Sequence, residues 1–409
     1  MTTLGQATGS FTRFVDHENG LISRAIYSDP EIYKIEIEKI FSRAWLFMCH
    51  ESQIPNPGDF FQTYMGEAKV IVTRAKDMSV QVLLNTCMHR GNSVCKADSG
   101  NTKTFMCTYH GWTYNLEGKL VGLPGAKDLY NGTFDKSAWG LRKAAHVGDY
   151  RGFIFATLDP AAPSLDTFLG APGKFIIDQL AGRGEMKVRP GIIKHRMRAN
   201  WKVPIENDSD YYHPATTHAS YVTELGSTVD EINGMFWAQE GRIVLGEYGH
   251  VADTLNEYDH STIFPHMTLL TSSLQILEIR HPKGPMETEN WYFCFTDVSA
   301  SDEEREGARM NQLRRVGPAG LIEQDDGENF ELSTRGTETA VMRDAPLNMS
   351  MGLGLGEMID DEELGFPVMQ SRYTTEAYVR WSRRAWADWM NAADWPSLIA
   401  SHTLPGEAR

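Results

Sequence analysis

Cysteine is scarce in this 409-residue chain. Only Cys49, Cys87, Cys95, Cys107 and Cys294 occur, and so odd and sparse a set excludes the disulfide framework of a small secreted domain. No apolar run approaches the ~20 residues a bilayer-spanning helix requires, so no membrane segment is predicted. Positive charge is also in short supply: 39 Lys and Arg stand against 54 Asp and Glu, a formal net charge of −15. A nucleic-acid binder needs a basic surface to displace phosphate counterions, so that class of partner is excluded. Internal repeats and low-complexity tracts are missing, which excludes solenoids and arrays. Residues 1–19 lack a basic stretch followed by an apolar one, which predicts no secretory leader and a cytoplasmic location.

What remains, 41% hydrophobic and 23% charged residues, is the composition of a folded soluble protein with a sizeable core. At roughly 150 residues per domain, the length predicts two or three domains or one large one. Asp29-Pro30 is a helix start signal, a capping side chain followed by proline at the first helical position. From about 42 to 160 short apolar runs alternate with Gly, Pro, Asn and Asp. Residues 69–73, 79–83, 111–114 and 152–157 predict short strands of a small β domain. A helical pattern resumes over 164–181. Residues 242–248, 267–279 and 289–295 predict strands of a larger sheet, and 301–313 and 374–390 predict helices.

Two loops carry metal-ligating residues. Residues 85–96 read Asn-Thr-Cys87-Met-His89-Arg-Gly-Asn-Ser-Val-Cys95-Lys, and residues 105–114 read Phe-Met-Cys107-Thr-Tyr-His110-Gly-Trp-Thr-Tyr. Zinc accepts two Cys and two His tetrahedrally, and a Rieske [2Fe–2S] cluster takes two Cys on one iron and two His on the other. Zinc motifs usually open with two cysteines close together, whereas each loop here offers one Cys and one His. Four ligand residues in two spaced pairs also speak against free cysteines beside surface histidines. Cys49, Cys95 and Cys294 read as packed free thiols. The segments Cys87-Met-His89-Arg90-Gly91 and Cys107-Thr-Tyr-His110-Gly111-Trp112 resemble the two cluster-binding loops of the Rieske fold. That resemblance implies an electron relay. Neutral imidazoles in place of two thiolates make such a cluster easier to reduce than a plant-type ferredoxin.

A second group lies at residues 200–221, with Glu206, Asn207, Asp210, Tyr212, His213, Pro214 and His218. His213 and His218 are five apart, 140° off one face of a straight helix at 100° per residue. Sharing a metal therefore requires a broken turn, for which Pro214, lacking an N–H for the Asp210 carbonyl, is suited. Alone, two histidines in a polar segment read as surface or core residues. Beside an electron relay, two His and a carboxylate are the ligand set of non-haem Fe(II) oxygenases.

The pattern Glu206-Asn207…Asp210…Tyr212-His213…His218 resembles the catalytic segment of the large (α) subunits of Rieske non-haem iron aromatic-ring-hydroxylating dioxygenases of the biphenyl, toluene, benzoate and naphthalene types. The resemblance implies that His213 and His218 hold the mononuclear iron. It also implies that Asp210 hydrogen-bonds His213 and meets the cluster ligand His110 of a neighbouring subunit. The acidic stretch Gly317–Phe330 is similar to the family's carboxylate segment, and the third ligand matches Asp326, with Asp325 the near alternative. The 108 residues from His218 to Asp326 are fewer than in larger members, which implies trimmed loops over the pocket.

The fold implied is α+β: a small all-β Rieske domain at 42–160, and a larger catalytic domain from 1–41 and 161–409 with a central antiparallel sheet flanked by helices. The implied cofactors are one [2Fe–2S] cluster and one mononuclear Fe(II) per chain, with NAD(P)H acting indirectly through a reductase or ferredoxin. The implied reaction is cis-dihydroxylation of an aromatic ring with O₂, in a homotrimer or an α₃β₃ assembly with a small β subunit. Mono-oxygenation or O-demethylation by the same architecture is the alternative, and a pure Rieske electron-transfer protein or a zinc-stapled module is a weaker one. Pocket candidates are Asn207, Tyr211, Leu274, Ile276, Ile322 and Phe330, of which Leu274 and Ile276 share strand parity; ordinary core packing accounts for each equally well. A carboxylated substrate would want an arginine in the pocket, and nothing in the sequence places Arg242 or Arg280 there.

Overall fold

A computed structural model describes residues 10–224, 226–254, 260–271 and 274–404 of the chain. The chain falls into two compact units, Phe41–Leu165 and Met1–Ile40 with Asp166–Arg409.

The first unit is built of short antiparallel strands: β1 (Leu46–His50), β2 (Asp59–Met65), β3 (Ala68–Arg74), β4 (Val80–Leu84), β5 (Ser99–Asn101), β6 (Thr104–Met106), β7 (Thr113–Asn115), β8 (Leu120–Gly122), β9 (His146–Tyr150) and β10 (Phe153–Thr157). They form three sheets, in the orders β9-β10-β1, β4-β3-β2-β5 and β8-β7-β6. The β-branched run Val70-Ile71-Val72 on β3 is wholly buried, as expected for a strand covered on both faces. Phe60, Ile71, Leu83, Trp112, Tyr114 and Leu120 share one apolar cluster with Cys87 and Cys107. The two candidate ligand loops are thus anchored in the unit's own core.

The second unit is organised around a ten-stranded antiparallel sheet among the described residues. Its strands are β11 (Met186–Val188), β12 (Ile193–Met197), β13 (Glu240–Leu245), β14 (Val251–Asp253), β15 (His260–Ile263), β16 (Met267–Leu270), β17 (Ile276–Gly284), β18 (Glu287–Asp297), β19 (Glu357–Asp361) and β20 (Phe366–Arg372). The order is β11-β18-β17-β16-β15-β14-β13-β20-β19, with β12 also paired to β18. The apolar run 267–279, expected to be one strand, is instead two. Gln275 takes a φ of +52° and the chain turns back, pairing Thr268 with Glu278. The register continues that row from Glu278 to Tyr292 and sets Arg280 opposite Asn290.

The helices are α1 (Pro30–Glu36), α2 (Leu165–Ala181), α3 (Lys202–Asp208), α4 (Pro214–Thr217), α5 (Ala219–Glu224), α6 (Val229–Ala238), α7 (Asp302–Val316), α8 (Glu323–Thr337), α9 (Ala377–Asn391) and α10 (Trp395–Ser401). Asp29 caps α1 by accepting from the Glu31 and Ile32 N–H groups, with Pro30 at the first position. Trp381, Trp386 and Trp389 of α9 are buried. The Trp386 indole N–H donates to Glu36, which also pairs with the buried Lys202 at 2.6 Å. This ties α9, α1 and α3 together around the segment that carries the histidines. No helix among the described residues is long and apolar enough to cross a membrane.

Candidate metal centres

The two Cys-His loops repeat one backbone device. The Cys87 N–H donates to the Asn92 carbonyl and the Gly91 N–H returns to the Cys87 carbonyl, both at 2.8 Å. The second loop copies this, Cys107 N–H to Trp112 O at 2.8 Å and Gly111 N–H to Cys107 O at 2.9 Å. Each closure needs positive φ four residues after the cysteine, +76° at Gly91 and +72° at Gly111, which glycine adopts at no steric cost. Both cysteines are buried while His110 is exposed and His89 half-buried. The two rings approach edge-to-face with centroids 4.5 Å apart, and His89 stacks on Trp112 at 5.0 Å.

The sulfurs sit among donors. Tyr114 Oη lies 3.4 Å from Cys87 Sγ, and the Asn92 amide donates to Cys107 Sγ at 3.7 Å. Burial raises the Cys107 thiol, but the Tyr109 and His110 N–H groups and the Cys87 and Asn92 side chains outweigh it, so the thiol lies below its ordinary range. A lowered thiol favours the thiolate that ligates metal. A tetrahedral zinc ion with bonds of ~2.0–2.3 Å would draw all its donors to within ~4 Å of one another. Among the described residues the one group of three or more ligand side chains converging that way is elsewhere. In the two loops the cysteine side chains lie against each other and the two imidazoles stand together, a sorting by ligand type that suits a two-iron cluster with two Cys on one iron and two His on the other.

That converging group is His213, His218 and Asp326, whose ligand atoms all lie within 4.8 Å of one another. The expected break in the helix is present. His213 precedes α4, Pro214 opens it at the first position, and the four-residue helix ends at His218, whose φ of −99° and ψ of 32° separate it from α5. The histidine rings stand edge-to-face at 5.3 Å. Asp326 Oδ1 lies 3.6 Å from His213 Nε2, and Oδ2 lies 3.4 Å from His218 Nε2. On the far side of each ring, Asp210 lies 3.4 Å from His213 Nδ1 and Asp325 lies 3.6 Å from His218 Nδ1. The two neighbouring carboxylates, equivalent in sequence, are therefore separated in space.

Burial pushes Asp326 up to about 6, offset in part by His213, Arg315 and a hydrogen bond from Asn207. Burial lowers His218 to about 4, with the charge of His213 acting in the same sense. Burial also pulls His213 down, but Asp210 more than compensates and leaves it raised. A buried carboxylate between two imidazole nitrogens, each ring braced from behind, fits one divalent iron and leaves a face open.

A cavity of about 140 Å³ opens beside the triad. Asn207, Tyr211 and Ile322 line it together with Val222, Ile232, Phe236 and Leu270. Leu274 and Ile276 do not appear on its described wall. The positive φ at Gln275 destroys their strand parity, and both pack in a core cluster with Tyr292, Cys294 and Val316. Phe330 packs on Met197 and Ala199 and faces a different cavity, which shares Asp210 and His213. Arg280 is consumed by Asp208 and Glu278, each at 2.6 Å, and Arg242 by Asp361 and Glu363. Arg315, Tyr114 and Asn92 were missed, since only tertiary placement marks them. Cys49, Cys95 and Cys294 are buried free thiols.

Residues 44–134 match the Rieske [2Fe-2S] domain family, and residues 178–392 match the ring hydroxylating alpha subunit catalytic domain. The α subunit of biphenyl 2,3-dioxygenase from Rhodococcus jostii (strain RHA1) is 34% identical, covering 98% of this chain and 96% of its own length. Benzene 1,2-dioxygenase subunit α from Pseudomonas putida is 33% identical, covering 96% of each. Among solved structures, naphthalene 1,2-dioxygenase with indole bound superposes with a TM-score of 0.86 at 27% identity, over 95% of this chain and 96% of that one. The Rhodococcus sp. naphthalene 1,2-dioxygenase gives 0.82 at 32% identity, over 91% and 95%. These similarities and the two centres have one consistent reading: the chain belongs to the ring-hydroxylating dioxygenase α-subunit family, oxidoreductases with a Rieske [2Fe–2S] domain and a mononuclear-iron catalytic domain.

Proposed function

We propose that this terminal oxygenase cis-dihydroxylates an aromatic ring, drawing electrons from NAD(P)H through a reductase, with or without a ferredoxin. The observation that carries the proposal is the triad of His213, His218 and Asp326 opening onto a largely apolar cavity. In this reading Cys87, His89, Cys107 and His110 hold the cluster, and the triad holds the iron. When bound, the cluster supplies single electrons and the iron supplies the centre at which O₂ is reduced.

The protein's own residues do the rest. Asp210 and Asp325 face the two Nδ1 atoms at 3.4 and 3.6 Å, and their charge favours the tautomer protonated there, with Nε2 free as a ligand atom. Asn207 lines the cavity beside Asp326 and favours its charged form. Val222, Ile232, Phe236, Leu270 and Ile322 bind a flat ring by apolar contact and keep water from the reacting atoms. Asp210, one-third exposed, is positioned to link His213 to the partner subunit's His110 in a head-to-tail trimer, with or without β subunits. A cytoplasmic location, where thiols stay reduced, fits the five free cysteines.

The test is product analysis under ¹⁸O₂ with mono-, di- and polycyclic aromatics. Two labelled oxygens on adjacent ring carbons are expected. A single labelled oxygen, or loss of a methyl group from a methoxy substrate, would replace the dioxygenase reading by mono-oxygenation or O-demethylation.

A further inference from the structure

The cavity beside the triad contains a cation that the reading above leaves unused. Arg315, in the last turn of α7, lines it together with His213, His218 and Asp326. Its side chain is half-buried and its guanidinium has no ion-pair or hydrogen-bond partner among the described residues. Of the carboxylates that share the wall, Asp208, Glu278 and Glu323 are engaged by other groups, while Asp210 and Asp326 face the histidines and Asp326 feels the Arg315 charge only at longer range. Arg280 holds Asp208 and Glu278, Thr268 also donates to Asp208 at 2.6 Å, and Tyr292 donates to Glu323. Arg315 is not a helix cap either, because the Leu313 and Arg314 carbonyls accept from the Gly317 and Leu321 N–H groups. Its charge nevertheless reaches the cavity: burial holds His260 down to about 3, and Arg315 adds to that depression.

A partly desolvated guanidinium without an acceptor is costly, and it becomes favourable when a ligand brings an anion. Arginine suits a carboxylate in particular, because its planar fork donates to both oxygens at once. Val222, Ile232, Phe236, Leu270 and Ile322 give the wall an apolar stretch. One cavity therefore offers a cationic end, an apolar slot and the metal triad.

We infer that Arg315 is a specificity-determining residue that binds the carboxylate of an aromatic-acid substrate and so sets which ring edge faces the iron ligands. This rests on the aromatic-oxygenase reading and deepens it.

The test uses the full-length, metal-loaded enzyme with its electron donors. Benzoate, phenylacetate and 3-phenylpropionate are each compared with the matching carboxamide, by titration calorimetry for binding and by ¹⁸O product analysis for chemistry. Wild type is expected to bind at least one acid about tenfold or more tighter than its amide, the size of a lost charge-assisted contact. R315Q should abolish that preference, and R315K should retain part of it; the cluster's visible absorption checks that both variants are folded. Amides preferred throughout by wild type, or an unchanged acid preference in folded R315Q, would overturn the inference. Acid binding that depends on Arg315 without ring oxygenation would keep the anion site and remove the dihydroxylation reading. Equal dihydroxylation of acids and amides by both proteins would do the reverse.

Discussion

Tyr114→Phe tests whether the first unit tunes its cluster through hydrogen bonds to sulfur. Tyr114 is fully buried, and its hydroxyl oxygen accepts the Met88 N–H at 3.1 Å while lying 3.4 Å from Cys87 Sγ. The backbone N–H can only donate, so the phenolic proton is left for the sulfur. Reduction adds negative charge to the cluster, and a donor at a ligand sulfur stabilises that state more than the oxidised one. A hydrogen bond to a charged group is worth ~1.5–3 kcal/mol, and with roughly half of that redox-dependent the difference is ~1 kcal/mol. At 59 mV per tenfold change in a one-electron equilibrium, the midpoint should fall by about 40 mV. The assay is a redox titration of the cluster's visible circular dichroism in the full-length protein. Asn92→Ala, which removes the longer 3.7 Å contact to Cys107, should give a smaller fall. The substitution at Tyr114 also strands the Met88 N–H at a cost of ~1–3 kcal/mol, so cluster content per chain is measured alongside. A midpoint that stays within about 10 mV of wild type, or rises, in a fully loaded variant refutes the argument.

Two further outcomes follow. Asp326→Asn should lose most of the mononuclear iron while keeping the cluster, whereas Asp325→Asn should keep both; elemental analysis of iron against sulfide decides, and equal loss in the two variants would contradict the separation of their roles. Stability should fall on acidification between about pH 6.5 and 4, because His250 is held neutral in the fold. Burial lowers it to about 4, with Nε2 on the Phe168 carbonyl and Nδ1 accepting the Phe264 N–H. The unfolded chain binds the proton first, so stability present above pH 6.5 is lost toward pH 4, ~3 kcal/mol from this one group. Urea unfolding at several pH values checks it, and a flat profile in wild type, or the same slope in His250→Gln, would sink the assignment.

The parts legible in the sequence are those where the constraint is local. Each Rieske loop is closed by bonds between residues four or five apart, so Cys87…Gly91 and Cys107…Gly111 carry their geometry in their spacing. The break required between His213 and His218 was likewise visible, because 100° per residue forbids a straight helix and Pro214 offers a way out. Asp326 carried no such mark; only its resemblance to a known segment singled it out from 54 acidic residues. Strand parity misled at Leu274 and Ile276, since one positive φ at Gln275 reset the pattern. Arg315 was invisible for a related reason. Its sequence neighbours are an ordinary charged helix end, and its cavity forms only when α7, α8, α4 and the sheet come together.

The adjacency of Asp325 and Asp326 has a geometric explanation that bears on function. Successive residues of a helix diverge by 100°, so two neighbouring carboxylates cannot easily serve one ion side by side. They can, however, take opposite edges of one imidazole, and at the start of α8 they do: Asp326 faces Nε2 of His218 and Asp325 faces Nδ1. Asp210 and Asp326 grip His213 in the same manner. Asp326 is thus the point at which both rings converge, and each ring has a second carboxylate behind it, at 3.4 Å for Asp210 and 3.6 Å for Asp325. Asp326 carries the cost of that arrangement, a carboxyl pushed up to about 6 by burial, and a bound divalent cation offsets it directly. In the proposed assignment an iron ion would relieve that cost, while the flanking pair, more exposed at 34% and 39%, remains open to other contacts.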